Sequence, residues 1–221
     1  MLDDMTTLEI SDKQRVEAIL TFWFGRIPDK RFGLKEMRLT STKLPYWGGH
    51  FFDPFQKADK EITLKFNHDL ETAGKGGYDS WEEHPIAQLA LIILLDQFPR
   101  NIHRGTAQAF SQDEKAFTLA MRALESNSDE MFDSVTKHFF YLPLMHKEDI
   151  SLQNKCVSLY RKAIKDANYV SKPILAMEYI GALRHRQIIK KFGRFPHRNK
   201  ILGRDSTPKE SNFLRQPFSS F

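Results

Sequence analysis

The chain has 221 residues and a mass of 25.8 kDa, which fits one compact domain. Hydrophobic residues at 41% and charged residues at 28% supply a core and argue against disorder, and the single cysteine, Cys156, excludes an internal disulfide framework or a CxxC metal knot. The net charge of +5 is local: residues 184–204 carry eight Lys or Arg and no Asp or Glu, which leaves 25 basic and 28 acidic residues elsewhere.

The first residues, Met1 to Met5, include two aspartates and no basic n-region, so they do not read as a secretory signal. The longest purely apolar run, Leu89 to Leu95, is far short of the roughly 20 residues that span a bilayer. The expectation is a soluble, cytoplasmic protein with no membrane partner.

Taken in order, the elements read as helices. Ser11 is placed to cap a helix whose Val16, Ile19, Leu20, Trp23 and Phe24 form one apolar stripe, ended by Gly25 and Pro28. A long aromatic loop, 29–52, follows, held by Trp47, Phe51 and Phe52. Asp53 and Pro54 open a second helix running through Phe55, Ala58, Ile62, Phe66 and Leu70 to Gly74. Pro85 opens a third, 86–98, apolar on nearly all sides and therefore central. Ser111 with Glu114 suggests a capping box for a fourth helix. A fifth starts at Ser128 and stops before Pro143. A sixth covers about 149–167, with Glu148 or Asp149 as its cap. A seventh begins at Ser171 and Pro173 and closes at Gly193. Thr207, Pro208 and Glu210 make a last capped start. No stretch alternates with period 2, so no strand is expected.

The fold class that follows is all-α: a single domain over 1–221 with its core at about 11–215, built of antiparallel helical hairpins in a bundle or superhelix. No repeat signature recurs at fixed spacing. One short echo does: Gln97-Phe98-Pro99-Arg100-Asn101 and Arg194-Phe195-Pro196-His197-Arg198-Asn199, each after the end of an apolar helix.

Three segments hold residue types that carry chemistry. Asp96 lies at the C-terminal end of a buried helix, where the macrodipole disfavours an anion, so it needs a cation such as Arg100 or Arg104. This makes it either a structural ion pair or a working carboxylate. His146 beside Glu148 and Asp149 suits an acid/base pair or two metal ligands, and equally a cap with a hydrogen-bonded imidazole. Glu178 and His185 fall on the inward stripe of the seventh helix, where each needs a polar partner. For His185 the candidates are Glu148, Asp149, Asp96 and Glu178. The basic, aromatic run around Phe195 suits clamping of an anion or locking of a loop over the core.

These residues resemble a known family. Phe22-Trp23-Phe24-Gly25, Leu94 to Asn101, Tyr141 to Glu148 and Phe192 to Asn199 look like the four signature blocks of the bacterial domain-of-unknown-function 924 family, with the likeness extending over about 14–215. The resemblance implies a tetratricopeptide-repeat-like helical fold, a right-handed superhelix or bundle. It implies no established activity, substrate or cofactor. This chain reads His146-Lys147-Glu148 where the family pattern usually has His-Ser-Glu, and its 29–52 loop is longer than the family suggests.

The leading functional expectation is a binding module with a polar, basic pocket for an anionic small molecule or an acidic peptide segment. The expected ligand-binding residues are Asp96, Arg100, Asn101, Arg104, His146, His185, Arg194, Arg198 and Asn199. The alternatives are a hydrolase-like enzyme using His146, Glu148, His185 or His197 as acid/base groups or metal ligands, and a structural protein-interaction scaffold. No cofactor or resident metal is expected, and nucleic acid is not the expected partner, since no recognition-helix pattern accompanies the basic run. Asp96, Arg100, His146, Glu148, His185 and Arg194 are expected to converge in one region.

Overall fold

The computed structural model describes residues 5–43, 55–217 and 219–220, and these contain helices and no strand. The helices are α1 (Ile10–Phe24), α2 (Leu34–Ser41), α3 (Phe55–Gly74), α4 (Pro85–Asp96), α5 (Phe98–Ile102), α6 (Asp113–Ser126), α7 (Ser134–Met145), α8 (Ile150–Asp166), α9 (Lys172–Phe192) and α10 (Pro208–Leu214). The expected start at Asp53–Pro54 and the anchors Trp47, Phe51 and Phe52 lie outside the described residues.

Helix α4 is the axle. Its residues Ile86 to Asp96 are all buried, and it packs on α1, α3, α5, α6 and α7. A helix with no polar face cannot sit at a surface, so the others arrange around it. The Phe22-Trp23-Phe24 block of α1 serves this core. Phe22 meets Phe66 edge-on at 5.1 Å, Trp23 lies 5.5 Å from Phe98, and Phe24 meets Phe139 at 5.1 Å. Gly25 ends α1 at φ 75°, a left-handed cap that glycine adopts without strain. Helices α7, α8 and α9 pack on one another, an arrangement compatible with tetratricopeptide-like pairing.

Four local expectations are corrected. The 29–52 stretch is not all loop, because α2 lies within it. Ser111 caps nothing: its hydroxyl donates to the Gln108 carbonyl at 2.9 Å, and Glu114 reaches Lys147 instead. Ser128 opens only a short 3-10 turn, and α7 begins later, where the Asp133 carboxylate accepts from the Val135 and Thr136 backbone N–H groups. Pro143 does not stop α7 but sits within its last turn, where the helix is about to end and a missing N–H removes a single bond. The expected capped start of the last helix is present, as a capping box in which Thr207 and Glu210 are bonded reciprocally.

Candidate functional site

The two halves of the sequence echo meet in space. Phe98-Pro99-Arg100 and Phe195-Pro196-His197-Arg198 each form a short turn after a helix end, opened by a buried Phe and Pro. Each turn directs its arginine to the same two residues. Arg100 binds the Asp113 carboxylate at 2.9 and 3.3 Å, and Arg198 approaches it at 3.9 Å. The Arg100 guanidinium lies 5.6 Å from the Phe110 ring centre and that of Arg198 lies 4.6 Å from it. Arg198 also lies 4.5 Å from the Phe195 ring, within cation–π range on two rings.

Between these turns stands a dyad. His146, at the C-terminal end of α7, donates its Nδ1–H to Asp96 Oδ1 at 2.7 Å. Gln97 donates to the other oxygen of Asp96, and Arg100 lies 3.6 Å from Oδ1. Burial opposes the Asp96 charge, but His146, Arg100 and these hydrogen bonds outweigh it and hold the carboxyl below its usual range. Burial and the nearby Arg100 push His146 down against the pull of Asp96. The imidazole is therefore neutral at pH 7. The charge that keeps Asp96 ionised there is that of Arg100, and His146 contributes an N–H. The His146 side chain keeps 13% of its surface exposed, and its Nε2 takes no hydrogen bond among the described residues.

Arg198 is buried, 7% exposed, and donates from one terminal nitrogen to the His146 carbonyl at 3.0 Å. Its Nε is buried without a hydrogen-bond partner. Burial and the charge of Arg100 together push its pKa down to about 10, against the pull of Asp113, Glu148 and Asp96. Beside it, burial and Arg198 push His197 down to about 4.

The other expected site residues divide. Glu148 accepts from the Phe195 backbone N–H at 2.7 Å and pairs with Arg204 at 2.6 and 2.9 Å, which ties the 193–204 segment to the α7–α8 turn. Asp149, not Glu148, caps α8. His185 packs edge-on to Phe195 at 5.5 Å and donates its Nδ1–H to the Gly181 carbonyl at 2.9 Å. The carboxylates expected beside it are engaged elsewhere; Glu178 approaches His138 at 3.8 Å. Arg194 turns away to Glu210 and the Asp205 carbonyl, Asn199 holds Ser206, and Asn101 and Arg104 bind Asp59 on α3. Asp96, Arg100, His146 and Arg198 thus gather directly. Glu148 and His185 adjoin them through Phe195, while Arg194, Asn101, Arg104 and Asn199 serve local ties.

Sequence reasoning missed Asp113 and Phe110, which join both arginines. The usable signal was Arg100 itself, a charge after a buried helix that called for more than Asp96. Gln153, one turn beyond His146 and Glu148 in the sequence, is fully buried and its amide donates to the Met145 and Lys147 carbonyls at the dyad's base. Among the described residues no three His, Cys, Asp or Glu side chains gather to hold a metal ion. A separate cleft of about 240 Å³, lined by Lys30, Glu130, Asp133, Lys137, Asp166 and Ser171, opens beside the N-terminal ends of α7 and α9. The dyad lies at the opposite end of α7, about 18 Å of helix away, so that cleft is no part of this site.

The fold and site define an all-helical protein with an arginine-flanked Asp–His pair at helix ends. The chain belongs to the family described as bacterial proteins of unknown function, DUF924, whose model matches residues 19–218. It is similar, at 34% identity and a TM-score of 0.66, to the solved structure of a protein of unknown function from Agrobacterium tumefaciens, over 81% of this chain and 98% of that one. No curated protein matches. Among the described residues no helix is long and apolar enough to cross a membrane.

Proposed function

We propose that the protein is an anion-binding module whose site is centred on Arg198, at the junction of the two Phe-Pro turns and the α7–α8 turn. The observation that carries this reading is the state of Arg198. It is a buried guanidinium with no carboxylate nearer than 3.9 Å and an Nε without a partner. A buried cation in that state is under-compensated, and a small anion would complete it. The other inward arginines, Arg100 and Arg204, have carboxylates of their own at 2.9 Å or less. Among the arginines of this cluster the under-compensated charge thus falls on Arg198, flanked by aromatic rings that lower the local dielectric. A small anion suits this site better than an acidic peptide, because so little of the guanidinium is exposed.

Calorimetry with inorganic phosphate at low ionic strength tests the reading. Millimolar or tighter binding is expected for the wild type, with loss of at least tenfold in Arg198→Met, which keeps the apolar packing between Phe110 and Phe195. Equal affinity in the two proteins, or no phosphate binding by the wild type, would refute it.

A further inference from the structure

Resting on that anion-binding reading, we infer that the Asp96–His146 dyad makes the site select an anion that carries its own proton at neutral pH, inorganic hydrogen phosphate, over a fully deprotonated anion such as sulfate.

The argument is one of donors and acceptors. Asp96 is ionised and accepts from His146 Nδ1 at 2.7 Å, which fixes the proton on that nitrogen. The other nitrogen, Nε2, then offers a lone pair and nothing else. Arg198 is bonded to the backbone carbonyl of the same histidine at 3.0 Å, and Arg100 lies 3.6 Å from the same Asp96 oxygen, so the acceptor and the two guanidiniums belong to one cluster. The charged and titratable groups around the imidazole are Asp96 from α4, Arg100 from α5, Asp113 from α6, His185 from α9, and His197 and Arg198 from the following turn. These include two cations and two neutral imidazoles beside two carboxylates, so nothing there forces a proton onto Nε2. An anion held by Arg198 therefore meets donors on one side and an acceptor on the other. Phosphate at neutral pH carries a P–O–H that donates to Nε2. Sulfate carries none, and would set an oxygen lone pair against a nitrogen lone pair.

The test is competitive calorimetry with inorganic phosphate and sulfate at pH 7 and matched ionic strength. Wild type is expected to prefer phosphate by about tenfold or more, the cost of one unsatisfied, partly desolvated acceptor. Asp96→Asn should collapse that preference. Gln97 would claim the new amide oxygen, leaving the amide N–H to face Nδ1 and moving the proton to Nε2, where it suits sulfate. Should Asp96→Asn fail to fold, His146→Gln gives the same reading, because its amide N–H also donates to sulfate. A wild-type ratio near one, or a preference unchanged in either folded variant, overturns the inference and leaves the anion site standing. Failure of wild type to bind either anion overturns both.

Discussion

Asp113 is the residue on which the two turns depend. It binds Arg100 at 2.9 Å and stands 3.9 Å from Arg198, with its own side chain 15% exposed. Removing its charge takes the nearest carboxylate from both guanidiniums and leaves Arg100 with Asp96 alone, in a poorly hydrated site. Asp113→Asn is therefore expected to cost about 3 kcal/mol, the lower end for a broken buried pair because Arg100 keeps some solvent. The same change should tighten phosphate, since a competing carboxylate is lost. Glu114→Gln is the control. That carboxylate also pairs, with Lys147, but is 82% exposed, and should shift stability by less than about 1 kcal/mol. Urea titrations of the two variants check the contrast, and equal midpoints would mean that Asp113 is solvated. At this scale the sequence was partly legible. The need of Asp96 for a nearby cation followed from its place at a helix end, and Arg100 answers it. Asp113 was hidden because it reads as an ordinary first-turn acid of α6, and its role comes from a contact 85 residues distant in sequence from Arg198.

At the level of the element, long periodic helices were readable and their starts only in part: Pro85, Asp149, Ser171 and Thr207 mark the starts of α4, α8, α9 and α10 as expected, while Ser111 and Ser128 do not. The ends of α1 and α9 at Gly25 and Gly193 were visible because a glycine in the left-handed region leaves one clear mark. Starts are ambiguous, since Ser, Asp and Glu are common and any of several can cap. Ser128 and Asp133 compete for α7, and Asp133 prevails because Arg26 reaches it at 2.8 Å and Thr136 donates to the same carboxylate. Burial raises the Asp133 pKa in spite of these partners. Two caps should then differ in weight. Thr207→Ala removes one exposed capping hydroxyl and should cost about 1 kcal/mol. Asp133→Ala removes a cap and leaves Arg26, whose side chain is 14% exposed, with only the longer 3.4 Å contact to Asp29, so about 3 kcal/mol is expected. Thermal melts of the two variants decide the order, and a larger loss for Thr207→Ala would show that the cap alone, not the ion pair, sets the start of α7.

For the whole molecule the governing fact is that its interior histidines are neutral. Burial is the largest cause for His138, His146, His185 and His197, and it carries His185 down to about 3 and His197 to about 4. An unfolded histidine titrates near 6.5. Above that value both states are neutral and these residues add no pH dependence. Below it the unfolded chain takes up protons that the folded chain refuses, so stability falls as pH falls, from about 6.5 down to the folded values. Each fully protected histidine contributes at most on the order of 1 kcal/mol per unit of pH in that window. The depressed carboxyls of Asp96 and Glu148 act lower. Their contribution is complete above the unfolded value near 4 and is lost as pH falls through their folded values. Asp129 and Asp133, which burial pushes up, oppose the histidines over part of the range, so the comparison must be between wild type and variant, not read from one curve. His185→Gln with His197→Gln should leave the stability at pH 7.5 close to wild type and flatten its decline between pH 6.5 and 4.5. Denaturant titrations at a series of pH values measure this directly. Parallel declines in the two proteins would mean that these imidazoles are protonated in the folded state, and the neutral environment that underlies the dyad's open Nε2 would then be lost as well.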